Sequence, residues 1–472
     1  MLSSPIALAA IAALAASDTR TLGSAIAGLP RAIYAADVTA DGNLDAVVVI
    51  DRAGRRRLAV LDGAGLERAA PELAPRLFEV PDDAAFFGVC PSLAAGIVLA
   101  RPGRLEHLPW AGAPVDLPAV PGALPFAERG DLPLVEICPP AMPPRQLLVP
   151  TLGGAALVAP GAPPRSLDAP LRAYLTSGTT FRGPRARRDF SLLAMVAFAR
   201  PFAGDLDGDG GVDLATAIED ELTWTGRDGR SGHLVLPLRS AEQRRSNDGL
   251  IDTRLCDLTG DGVLDAVVTY QRGGSNSMRT SWRVLAGPLA GAPRTLATIE
   301  RQGLAAPLLI DDVDLDGRPE IVEPLVDVSL VAMGKALVTG SIPIQYRVHR
   351  FADGKHSASA PLEIAHAIDF SRATNLAGHP PLLGGDFDGD GRGDLVALAT
   401  ADELTIHRGV AGDPPFASRP TLRASVPSTH QAVSLRRGRS GAAALVFVSE
   451  RDGGALLTVV QIKGERAGVR QR

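Results

Sequence analysis

Asp205-Leu206-Asp207-Gly208-Asp209-Gly210-Gly211-Val212-Asp213 carries aspartate at the first, third, fifth and ninth positions of one short loop, with glycine at the sixth. Alternate side chains of a tight turn converge on one point, and glycine permits the sharp bend that brings them there. Ca2+ takes about six to eight oxygens in irregular geometry, so such a loop suits it better than Zn2+ or Mg2+. An EF-hand would place a bidentate glutamate at position 12, inside a helix. Here position 12 is Thr216, within Leu214-Ala215-Thr216-Ala217-Ile218, a short apolar strand. The expected site is a calcium loop in a β setting.

The pattern recurs four times in the same register. Asp37, Thr39, Asp41, Asn43 and Asp45 precede Ala46-Val47-Val48-Val49-Ile50, and Asp257, Thr259, Asp261, Val263 and Asp265 precede Ala266-Val267-Val268-Thr269-Tyr270. Asp312, Asp314, Asp316, Arg318 and Glu320 precede Ile321-Val322, and Asp386, Asp388, Asp390, Arg392 and Asp394 precede Leu395-Val396-Ala397-Leu398. In an EF-hand-like scheme position 7 ligates through its backbone carbonyl, so Asn43, Gly211, Val263, Arg318 and Arg392 need no particular side chain. The loops at 37 and 257 carry threonine at position 3 and hold three carboxylates, which predicts weaker sites.

The loops begin at 37, 205, 257, 312 and 386, steps of 168, 52, 55 and 74 residues. The first step spans three ordinary ones, so two units there have lost the acidic loop. Cys256 directly precedes Asp257, and Val89-Cys90-Pro91 and Ile137-Cys138-Pro139 repeat that apolar-cysteine step at suitable spacing. A last unit opens near Val433-Ser434-Leu435. Unit starts therefore fall near 37, 91, 139, 205, 257, 312, 386 and 434. Each unit reads as strand, acidic loop, apolar strand, turn, strand, turn and looser strand, bounded by Gly, Pro and Asp. That period predicts an all-β fold: a β-propeller of seven or eight four-stranded blades, filling 17–472 as one domain. Ser17 to Gly28 can supply a strand that closes the ring.

The composition agrees. Fifty glycines and 38 prolines fit short strands and turns, and 46% hydrophobic with 21% charged residues describe a folded chain with ample core. A formal net charge of −5 gives no electrostatic footprint for nucleic acid or anionic membrane, and no apolar run reaches membrane-span length. The three cysteines read as small packing residues. Residues 1–16 resemble the apolar core of a secretory signal without its basic lead, which predicts a secreted, periplasmic or cell-surface protein.

Asp-x-Asp-x-Asp-Gly-x-x-Asp followed by an apolar strand resembles the FG-GAP/VCBS repeat family, typified by the calcium-loop propellers of integrin α-subunits. The resemblance covers roughly residues 30 to 463. It implies that the loops join the first two strands of each blade and that bound Ca2+ is structural. The family's Phe-Gly and Gly-Ala-Pro signature is not clearly present, so only the calcium loops carry over.

No nucleophile elbow, phosphate loop or zinc-protease motif occurs. Arg392-Gly393-Asp394 spells an adhesion tripeptide, but its aspartate is committed to a metal loop. His349, His356, His366 and His379 lack zinc-site spacing and read as ordinary loop histidines. Trp224 matches Ile406 in the repeat, which makes it strand packing. The excursions at Ser177–Asp189, at Gln271–Ser277 and at Val326–His379, the last read as an elongated hairpin, are where binding is expected. The functional expectation is a binding or adhesion scaffold for a protein or carbohydrate ligand. The alternatives are a propeller-type polysaccharide lyase or hydrolase, and a lectin-like module.

Overall fold

The computed structural model describes residues 17–462, apart from 68–73, 121–131, 140–141, 152, 160, 169–171, 183–186, 198–199, 238–249, 273–278, 292, 306–308, 328, 368–382, 400–402, 426–430, 438–440 and 452–453. Residues 1–16, read above as a signal segment, lie outside it, as does most of the excursion at Gln271–Ser277.

Eight antiparallel blades form a closed β-propeller. Blade 1 holds the strands Leu29–Ala36, Asp45–Arg52, Arg55–Leu61 and Arg76–Val80. Blades 2, 4, 5 and 7 repeat this order over residues 86–117, 200–235, 250–302 and 383–425. Blade 3 shows three strands between Leu147 and Asp168 among the described residues. Its innermost position is taken by the segment around Ile137, whose carbonyl accepts the Leu148 N–H at 2.8 Å. Blade 6 spans 304–367, with its first and last strands each broken in two. Blade 8 joins Gln431–Arg437, Gly441–Arg451 and Gly454–Ile462 to Ser17–Ala27, which pairs antiparallel to the last of these. That N-terminal strand settles the count at eight.

The second strand of each blade explains why the ring closes. A strand points successive side chains to opposite faces, and here both faces meet a neighbouring blade. In Asp45–Arg52, Ala46, Val48 and Ile50 pack with Leu435 and Val446 of blade 8, while Val47 and Val49 pack with Phe87, Ile97 and Leu99 of blade 2. Blade 5 repeats this, with Ala266 and Val268 toward blade 4 and Val267 toward Ile321 of blade 6. The apolar core is thus a set of inter-blade seams running round the ring. A continuous apolar run is what a strand covered on both faces requires.

Two excursions differ from their sequence reading. Arg172–Arg182 and Arg187–Ala197 form a regular two-stranded hairpin. Leu330–Thr339, expected as half of an elongated hairpin, is an α-helix, and Ser341–Arg350 after it is the third strand of blade 6. The caps decide the helix: Ser329 Oγ accepts the Ala332 N–H, and Gly340 turns left-handed at φ 66° while donating to the Ala336 carbonyl. An apolar run alone does not distinguish helix from strand.

Starting the chain at residue 28 should strand Gly454–Ile462 as a bare sheet edge. Compared with a chain starting at residue 17, its thermal midpoint should fall and light scattering should show association. Equal midpoints would mean that the N-terminal strand does not close the ring.

Candidate metal centre

The five acidic loops join the first and second strands of blades 1, 4, 5, 6 and 7, so they share one end of the propeller. Their backbones are folded alike. The position-6 N–H donates to the position-1 carboxylate at 2.8–3.1 Å. The position-7 N–H donates to the position-5 carboxylate at 2.6–2.9 Å. Gly42, Gly210, Gly262, Gly317 and Gly391 at position 6 all have φ between 78° and 91°, which a side chain would strain.

The ninth-position acid has a different role from the others. Asp45, Asp213, Asp265, Glu320 and Asp394 are buried. One oxygen of each accepts the position-2 N–H at 2.8–2.9 Å. In four loops the other oxygen accepts an N–H just beyond the third strand: Gly63, Arg227, Gly287 or Gly409. This acid latches the loop to its own blade. The sequence reading missed a partner in the latch, the apolar residue at position 2: Val38, Leu206, Leu258, Val313 and Phe387 are at most 2% exposed. An apolar residue there in all five loops was the available signal. Asp394 is buried too, so Arg392-Gly393-Asp394 does not present an adhesion carboxylate.

Carboxylates converge in three loops. Oxygens of Asp205, Asp207 and Asp213 lie within 4.8 Å of one another, as do those of Asp312, Asp314 and Asp316, and of Asp386, Asp388 and Asp394. No such group forms at the threonine-bearing loops 37 and 257 among the described residues. Asp312 Oδ1, Asp314 Oδ1 and Thr259 Oγ1 are buried without a hydrogen-bond partner among the described residues. Orphaned oxygens beside further carboxylates fit a hard cation. Arginines meet the third position of the same three loops: Arg230 to Asp207 at 2.8 Å, Arg350 to Asp314 at 2.8 Å and Arg408 to Asp388 at 2.7 Å. A guanidinium and a cation would compete for those oxygens.

Two open clefts border these loops. One of about 360 Å³ lies between Asp314, Asp316 and Arg350 of blade 6 and Arg392, Gly409 and Phe416 of blade 7. Another of about 570 Å³ is lined by Asp207, Asp209, Arg230 and Pro288. Both present carboxylates and guanidinium groups together. Trp224 also lines the second, yet is only 8% exposed, consistent with its reading as a packing residue.

Of the blade 6 histidines, His349 and His366 lie on strands, while His356 lies in a loop as expected. His349 lies on the third strand, fully buried, with Nε2 3.1 Å from Glu323 Oε2 and Nδ1 3.0 Å from His356 Nε2. Arg301 of blade 5 also pairs with Glu323, and Trp282 stands edge-on to the His349 ring. Burial alone would raise the Glu323 carboxyl, but the His349 hydrogen bond and the Arg301 charge hold it below its ordinary value. His366 lies on the last strand of blade 6, paired with Ile342, and His379 falls outside the described residues.

Asp394→Ala should cost about 2–6 kcal/mol, from two orphaned donors at about 1–3 kcal/mol each. Exposed Asp390→Asn should stay within about 0.5 kcal/mol in metal-free buffer; urea unfolding checks both. Burial pushes Asp45 and Asp394 up to about 6 and Glu320 to about 7, against the backbone donors that pull them down. The folded protein therefore holds protons that the unfolded chain has released, so these groups favour folding less as pH rises from about 4 through 7. Metal-free unfolding should show that decline, flattened in Asp394→Asn.

No family model and no curated protein matches this chain. Among solved structures it is similar to BBS1N, crystallised in complex with ARL6DN, at 9% identity and a TM-score of 0.36, covering 93% of this chain and 94% of that one. It is also similar to a catalytically inactive virginiamycin B lyase from Staphylococcus aureus with quinupristin, at 9% identity and a TM-score of 0.32, covering 94% and 98%. A streptogramin B lyase structure aligns at 13% identity and a TM-score of 0.24, over 66% and 96%. These likenesses assign neither ligand nor reaction.

Proposed function

We propose that this chain is a calcium-stabilised propeller of the FG-GAP/VCBS type, acting as a binding scaffold for a protein or carbohydrate outside the cytoplasm. The observation that carries the reading is the shared fold of the five loops, each latched by its ninth acid, with carboxylates brought together in three of them. Asp205, Asp207 and Asp213 in blade 4, Asp312, Asp314 and Asp316 in blade 6, and Asp386, Asp388 and Asp394 in blade 7 would hold the ion best. Thr39 and Thr259 would give blades 1 and 5 weaker sites. The ion would supply positive charge and rigidity, while the clefts beside the loops offer a partner both signs of charge.

An enzyme is the second reading, favoured by Glu323, His349 and His356 in hydrogen-bonded series. Only His356 of the three reaches the surface, so it alone could meet a substrate.

At a hundred times its Kd, each bound ion would stabilise the fold by about 2.7 kcal/mol. Millimolar Ca2+ should therefore raise the thermal midpoint well above that in EGTA, with at least three ions bound per chain. No shift and no bound calcium would reduce the loops to acidic turns and leave the enzyme reading ahead.

A further inference from the structure

Blades 2 and 3, neighbours that both lack an acidic loop, meet through their cysteines. The first strand of blade 2, Phe86–Gly88, runs parallel to the segment around Leu134 that begins blade 3. Phe87 N–H donates to the Pro133 carbonyl at 3.0 Å, and its own carbonyl accepts the Val135 N–H at 2.8 Å. Three residues on, this register brings Cys90 level with Ile137 and beside Cys138. Their Sγ atoms lie 2.6 Å apart. That is closer than two thiols settle without bonding. Ser92 Oγ sits 3.3 Å from the first sulfur and 3.4 Å from the second.

From this geometry we propose that Cys90 and Cys138 form a disulfide that clips blade 2 to blade 3. The bond would close a loop whose ends are 48 residues apart, at the one seam where neither blade has an acidic loop. Cys90 is 1% exposed within that seam, while Cys138 is partly exposed and gives an oxidant access. Cys256, in blade 5, is left as the single thiol. A shared metal is a poorer reading, since among the described residues neither sulfur belongs to a group of three metal-ligating side chains.

The oxidant required is another disulfide, small-molecule or protein. A thiolate of the pair attacks one sulfur of RSSR, forming a mixed disulfide and expelling RS−. The second cysteine then loses its proton and attacks the protein sulfur of that bond, expelling the other RS−. Two electrons pass to the oxidant, which leaves as two thiols carrying the two protons. The first proton is easily lost. The hydrogen bond with Cys138 pushes the Cys90 thiol down to about 6, and the same bond pushes Cys138 up.

The test is to incubate the reduced full-length protein with oxidised glutathione, then denature it and titrate thiols. The count should fall from three to one, and the intact mass should fall by about 2 Da, as internal exchange demands. Peptide mapping should link Cys90 to Cys138, and the thermal midpoint should rise on oxidation. Cys90→Ser and Cys138→Ser should form no internal link. Three persisting thiols, stable glutathione adducts on the pair, or a link through Cys256 would overturn the proposal. The wild-type map decides this even if either variant fails to fold.

Discussion

A buried carboxylate that accepts backbone N–H groups from two directions is the constraint on which four of the five loop-bearing blades depend. Asp265, for example, takes Leu258 and Thr259 from its own loop and Gly287 from beyond the third strand. An acid removed from water is costly unless its lone pairs are filled. Here they are filled by donors that the turn would otherwise leave unsatisfied. The loop, the start of the second strand and the end of the third are thereby fixed together.

The second strand carries that local order outward. Because its alternate residues belong to different seams, a blade has no core of its own. Val47 and Val48 are adjacent in sequence, yet they stabilise opposite neighbours. No blade is therefore a complete unit, and cooperativity is expected to extend round the ring.

Much of this was legible in the residues. The glycine at position 6 and the acid at position 9 are demanded by backbone geometry, so they survive in sequence and reveal register. The apolar runs after each loop reveal two covered faces. Other features were hidden for physical reasons. Leu330–Thr339 is apolar enough for a strand, and only Ser329 and Gly340 mark it as a helix. Glu323 and His349 are 26 residues apart and meet only once strand pairing sets their register. Cys90 and Cys138 looked like packing residues because the seam between them is a tertiary product. The arginines at the third-position acids come from other strands and turns of the same blades, beyond the reach of a local motif.

The pairing of Ser17–Ala27 with Gly454–Ile462 also has a kinetic side. Thr21 lies opposite Thr458, so the first described strand finds its partner only after all seven intervening blades have been synthesised. Closing so long a loop costs little more entropy than closing a moderate one, because the cost grows only with the logarithm of length. The delay is the greater burden. Until the last blade emerges, the N-terminal strand is an unpaired segment and blade 1 has an uncovered face toward blade 8. A chain built this way completes the ring only once residues 454–462 have emerged, and it needs protection from association until then.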